Sequence, residues 1–246
     1  MGAGSRGSLS GVASKPQCAA MTTTRRHDRG LALIVVLLAM VLLSALGVAL
    51  VLATSAETRI AANFRNAQET LYAAEAAADR ALDDLALVAD WSALLGGGVL
   101  SSFVDGSPGG VRQLDDGTLV NLAEVVTLAN CQRTVACSNA DMDAVTDDRP
   151  WGPNNPRWTL FGFGPLRALL PAGARPTSQY VVVMAGDDPG EADNDPSRDG
   201  VAGTSGAGIV ALRAEAFGLG GAHKVVELTV MRGASAVRVL SWRELR

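Results

Sequence analysis

The stretch Leu31 to Ala53, LALIVVLLAMVLLSALGVALVLA, constrains the chain more than any other. It carries no charge, and Ser44 is its one polar side chain. A helical Ser can satisfy its hydroxyl on a carbonyl one turn back. At a rise of ~1.5 Å per residue the stretch makes a helix of roughly 35 Å, enough to cross a hydrocarbon core of about 30 Å. An amphipathic surface helix would show a polar face, and this one has none. A fully buried core helix would need apolar residues to wrap it on all sides, and the remainder of the chain supplies few. The reading is therefore a single membrane span.

The flanks orient it. Arg25, Arg26 and Arg29 precede the span, offset by Asp28. Cationic flanks stay cytoplasmic, so the bulk of the chain is expected on the outer side of the membrane. A secretory signal peptide has a shorter apolar region, ~7–15 residues, ending in a small-x-small site. Residues 1–20 are small, polar and without periodicity. They read as a disordered leader or an upstream start that is not translated, with Met21 as the alternative start.

Beyond Ala53 the pattern changes without a break. Residues 54–95 hold no Pro and no Gly. Ile60, Phe64, Ala67, Leu71, Ala74, Ala78, Leu82 and Leu85 recur at steps of three and four, which is one helix face. Glu57, Arg59, Arg65, Glu69, Asp79 and Asp83 fall on the other. Ala73–Ala78 is nearly an alanine run, and alanine is the best helix former. The expectation is one helix from about Leu31 to Leu95, with 31–53 in lipid and 54–95 amphipathic, ended by Gly96-Gly97-Gly98.

Residues 96–246 read as a separate outward domain. Leu119–Leu128 fits strand or helix. Arg149–Pro156 and the following Phe161-Gly-Phe-Gly-Pro165 read as a surface loop packed by Trp151, Trp158 and Phe161. Gln179–Met184 is β-rich. In Ile209–Phe217, Val210, Leu212, Ala214 and Ala216 alternate with Arg213 and Glu215. Val226, Leu228 and Val230 supply a matching face after a Gly-rich turn, and Val237–Trp242 can be a third strand. Short Gly turns between consecutive strands suggest an antiparallel meander, whose apolar face the amphipathic helix would cover.

Arg29-Gly30-Leu31-Ala32-Leu33-Ile34, then Ala61-Ala62-Asn63-Phe64-Arg65, then Tyr72-Ala73-Ala74-Glu75-Ala76 carry a family resemblance. The chain resembles type IV pilins, and more narrowly the PilX-type minor pilins, pilus assembly proteins with a PilX N-terminal domain. The resemblance spans about residues 25–85; Ala211–Gly218 and Val225-Val-Glu227 are similar to the family's C-terminal end but less specific. It implies an α+β pilin-like fold, cleavage by prepilin peptidase between Gly30 and Leu31, methylation of the new Leu31 amine, and packing of the apolar helix against other pilins. It places the chain in the inner membrane and then in the pilus, with twitching motility as the associated process. Major pilins carry Glu at the fifth mature residue, where this chain has Val35. A carboxylate there can hold a neighbouring subunit's N-terminal amine; Val35 cannot, which favours a minor or tip subunit over a bulk one. A minor pseudopilin of type II secretion and an unprocessed single-pass binding or sensor domain are the competing readings.

Three cysteines are present. Cys131 and Cys137 lie on the outward side, where a disulfide is expected; Cys18 falls in the leader. Asp187, Asp188, Glu191, Asp193, Asn194, Asp195 and Asp199 form an acidic, turn-rich cluster. Asp193, Asp195 and Asp199 stand at offsets 1, 3 and 7 of a calcium loop, and calcium takes six to eight oxygen ligands. Gly at offset 6 and Glu at offset 12 are missing, so the loop is not an EF-hand. The alternative is a solvated acidic loop. Asp141, Asp143 and Asp147 repeat the offsets. The net charge of −4 gives no argument for nucleic acid. Two histidines, His27 and His223, leave no acid–base or nucleophile set, so a non-enzymatic role is expected.

Overall fold

The computed structural model describes residues 28–174, 177–200, 206–234 and 236–245. Arg25, Arg26, Cys18 and the alternative start at Met21 lie outside them. The chain divides into two compact units, 1–56 and 57–246. Helix α1 (Asp28–Leu85) supplies residues to both.

In the first unit the described apolar side chains are exposed. The large hydrophobic residues from Leu31 to Leu52 are 48–70% exposed. Burial is worth about 1.5–3 kcal/mol for each such side chain. Leaving this surface in water would thus cost tens of kcal/mol, and lipid or other apolar helices remove that cost.

The second unit is α+β, as expected from the sequence. After α1 come α2 (Trp91–Leu95), a small hairpin of β1 (Val111–Gln113) and β2 (Leu119–Asn121), α3 (Leu122–Cys131) and α4 (Asn139–Asp143). Then follow β3 (Thr159–Pro165), β4 (Tyr180–Asp187), β5 (Ile209–Phe217), β6 (His223–Arg232) and β7 (Val237–Leu245). These last five form one sheet in chain order, every pair antiparallel. The meander therefore has five strands, of which β3 is the one not read as a strand from the sequence.

One sheet face carries Val181, Val183, Val210, Leu212, Ala214, Val226, Leu228 and Val230. Against it pack Ala73, Ala74, Ala77, Ala78, Ala81 and Leu85 of α1 with Trp91, Leu94 and Leu95 of α2. The alanines leave no side-chain bulk between helix and strands. The opposite face of β3 and β4 presents Phe163, Tyr180, Val182 and Met184 to Leu122, Val125 and Ala129 of α3. Every residue of β4 is buried. That explains its unalternating sequence, since a strand covered on both sides has no polar face to show.

The expected amphipathic stripe is covered only in part: Ile60 and Phe64 are 68% and 67% exposed, whereas Ala74 is fully buried. Nor does the helix reach Leu95. The amides of Leu87 and Val88 donate to Asp84 and Leu85, the tight bonding of a fraying end. The Asp90 side chain then accepts from Ser92 N–H (2.9 Å) and caps α2 as a new helix. Arg232 fixes this redirection: it donates to the Ala89 carbonyl (2.8 Å) and its guanidinium sits 4.4 Å over the Trp91 ring. The Gly96-Gly97-Gly98 run ends α2, not α1, with Gly97 left-handed at φ 72°.

Leu119–Leu128 is both strand and helix, divided at Asn121, whose side chain accepts from Ala123 N–H and caps α3. Phe161–Pro165 is not loop but most of β3. Trp158 and Phe161 are buried as expected, while Trp151 is 36% exposed. A β-bulge between Leu160 and Gly162 turns Phe161 toward the helical side and Phe163 toward α3. Gly162 is needed because a Cβ there would lie 2.4 Å from the Phe103 ring. Residues 101–105 run along β3, exchanging backbone hydrogen bonds with Phe161 and Phe163. Asp84 ties this segment to α1: its carboxylate accepts from Ser102 N–H (2.8 Å) and from both the Ser101 and Ser102 hydroxyls, and pairs with Arg80.

Candidate functional site

The first candidate is the start of α1. Gly30 and Leu31 lie within the helix, and a Cβ at Gly30 would meet nothing within 4 Å. Leu31 is 67% exposed, so the Gly30–Leu31 bond is not enclosed by packing. Val35, one turn on, is 57% exposed and offers no charge. From Gly30 to Ala56 the helix carries no acidic or basic residue, and the first beyond is Glu57. Such a surface can only pack, through dispersion contacts with lipid or with like helices.

In the second unit Cys131 and Cys137 form the expected disulfide, Cα–Cα 6.1 Å. It fastens the end of α3 to the loop before α4. The end of α3 is also held by Asn130, which accepts from Trp158 N–H (2.7 Å) and donates to the Trp158 carbonyl (2.9 Å).

The outward face of β5–β7 carries a register-locked row of charges. Arg213 stands opposite Glu227, and Glu227 opposite Arg243. Arg213 donates to Glu227 (2.9 Å) and to Glu215 (2.6 Å), while Arg243 donates to Glu227 (3.0 Å). His223 Nε2 lies 2.8 Å from Glu215, and its ring stacks on Phe217 at 4.5 Å. Burial pushes the Glu215 carboxyl up, but the His223 hydrogen bond and the Arg213 charge outweigh it, so Glu215 sits below the usual carboxylate range. A carboxylate held that way is a poor proton acceptor. The alternation of β5 revealed Arg213 and Glu215 as outward residues; their partners on β6 and β7 depend on register and were not evident.

Each of the three aspartates singled out for calcium accepts a hydrogen bond of its own. Asp193 accepts from Asp195 N–H (2.8 Å), Asp195 from the Ser197 hydroxyl (2.6 Å) and Asp199 from Gly208 N–H (2.7 Å). The first two bonds are local, between residues two apart, while Asp199 reaches a residue nine positions on. Among the described residues no group of three or more His, Cys, Asp or Glu side chains is arranged to hold a metal. The buried acids of this region are others. Asp187 ends β4 and Glu191 follows in the loop, each only 3% exposed. Asp187 Oδ1 and Glu191 Oε2 have no hydrogen-bond partner. Burial, then the Glu191 charge, pushes Asp187 up to about 8. Burial, then Asp193 and Asp199, pushes Glu191 up as well.

Residues 29–79 match the family described as PilX N-terminal. No curated protein and no solved structure matches the chain. The match covers the uncharged helix surface, the Gly30–Leu31 bond and the first turns that pack on the sheet. Residues 29–79 are thus similar to the PilX N-terminal family, and an α+β unit follows them in the chain.

Proposed function

We propose that this chain is a minor pilin, cut by prepilin peptidase between Gly30 and Leu31, that takes part in assembling or priming a type IV pilus. It acts as a structural subunit and not as a catalyst. The observation that carries the reading is the unpartnered apolar surface of Leu31–Leu52 within a PilX-type domain. A single span of this length anchors the subunit in the inner membrane, and Arg25, Arg26 and Arg29 keep its N-terminus cytoplasmic. After cleavage the same surface exchanges lipid for neighbouring pilin helices. Val35 cannot pair with the amine of a neighbouring subunit, which suits a subunit present in few copies.

Deletion of the gene tests this. Surface pili and twitching motility should be lost or sharply reduced, and restored by the wild-type chain. Normal piliation with retention of secreted proteins inside the cell would instead assign the chain to a type II secretion pseudopilus.

A further inference from the structure

The end of β4 and the loop after it bury two carboxyl groups with which no basic side chain among the described residues pairs. Asp187 and Glu191 are each 97% hidden from solvent, and each has an oxygen without a hydrogen-bond partner. Among the described residues no basic side chain bridges either one. The charges acting most strongly on Asp187 are those of Glu191, Asp193 and Asp199, all of the same sign. Asp193, Asp199 and Asp188 act likewise on Glu191.

The backbone makes room for this arrangement. A Cβ on Gly200 would fall 1.6 Å from Glu191 Oε1, and one on Gly206 would fall 2.9 Å from its Oε2. Gly206 also has φ 102°, a conformation open to glycine. The Glu191 carboxylate therefore sits in a cradle that two glycines keep open. An unpaired buried carboxylate is strongly unfavourable, and a second negative charge acting on it adds to the penalty. A cation between them removes both penalties.

We propose that Asp187 and Glu191 hold one divalent cation, with Asp193 and Asp199 adding negative charge at its rim. Calcium is the ion that fits. The donors are carboxylate oxygens on an irregular loop; calcium accepts six to eight such ligands in flexible geometry, whereas magnesium demands near-octahedral placement. The inference is independent of the pilin reading, and its ligands are not the Asp193, Asp195 and Asp199 set suggested by spacing.

The test uses the full chain in detergent, stripped with EGTA and titrated with calcium chloride by calorimetry and thermal unfolding. One calcium should bind per chain. The unfolding midpoint should rise by about 5–10 °C once calcium is about a hundredfold above its Kd. Magnesium chloride at the same concentration should give a smaller rise. The D187N/E191Q variant should lose the calcium heat and, in EGTA, unfold no lower than wild type, because neutral amides replace the two unpaired buried carboxyl groups. Asp195→Asn should keep the calcium response. No calcium heat and an unmoved midpoint in the wild-type chain would overturn the proposal, even if the double variant failed to fold. So would undiminished binding by D187N/E191Q, or loss of binding in D195N alone.

Discussion

Glu215 shows how much one buried side chain can decide here. It is 4% exposed, yet stays ionised because His223 and Arg213 donate to it. Its folded-state pKa lies below the ordinary value of 4.5. The stability it contributes is therefore present above about pH 4.5 and lost as pH falls through the lower folded-state value. Thermal unfolding across pH 3–6 should show a falling midpoint on acidification. Glu215→Gln should flatten that slope while leaving the Cys131–Cys137 link, on a different element, intact. Val35 matters for the opposite reason. In a helix surface with no charge from Gly30 to Ala56, its apolar side chain leaves packing as the only contact on offer.

Among the elements, α1 and the meander depend on each other through alanine. Ala74, Ala77, Ala78 and Ala81 are 0–2% exposed against the strands, whereas Phe64 on the same helix is 67% exposed. Ala78→Leu should destabilise the second unit by about 1–3 kcal/mol, since added methylenes have no space. Phe64→Ala should change it by no more than about 0.5 kcal/mol. Chemical denaturation in detergent reads both. Much of this pairing was legible in the sequence, because three-four spacing and strict alternation are local signals. Val210, Leu212, Val226 and Val230 were placed on the inner face from alternation alone. β3 was hidden because Phe-Gly-Phe-Gly-Pro has the composition of a loop; Gly162 is there for the Phe103 ring, a contact from 59 positions earlier. The stop of α1 at Leu85 was hidden likewise, because Arg232 on β6 captures Ala89 and Trp91. In the acidic loop, composition revealed the cluster but not its burial. Spacing pointed to Asp193, Asp195 and Asp199, which accept hydrogen bonds from Asp195, Ser197 and Gly208, and passed over Asp187 and Glu191, which the fold encloses.

At the level of the whole molecule, two units do two jobs. Residues 57–246 fold around a sheet with a core of their own. The large apolar residues of the other unit, from Leu31 to Leu52, are 48–70% exposed among the described residues. The similarity of residues 29–79 to the PilX N-terminal family fits this surface, and under the proposed function the helix resides first in lipid and then among other helices. The central claim is that a cut at Gly30 frees it to make that exchange. Mass spectrometry of the mature N-terminus, on protein extracted from the membrane of cells with and without prepilin peptidase, tests this most directly. With the peptidase, the chain should begin at Leu31 and carry a methylated amine; without it, the Gly30–Leu31 bond should remain whole. Recovery of an intact Arg29-Gly30-Leu31 peptide from every molecule in peptidase-positive cells would contradict the account.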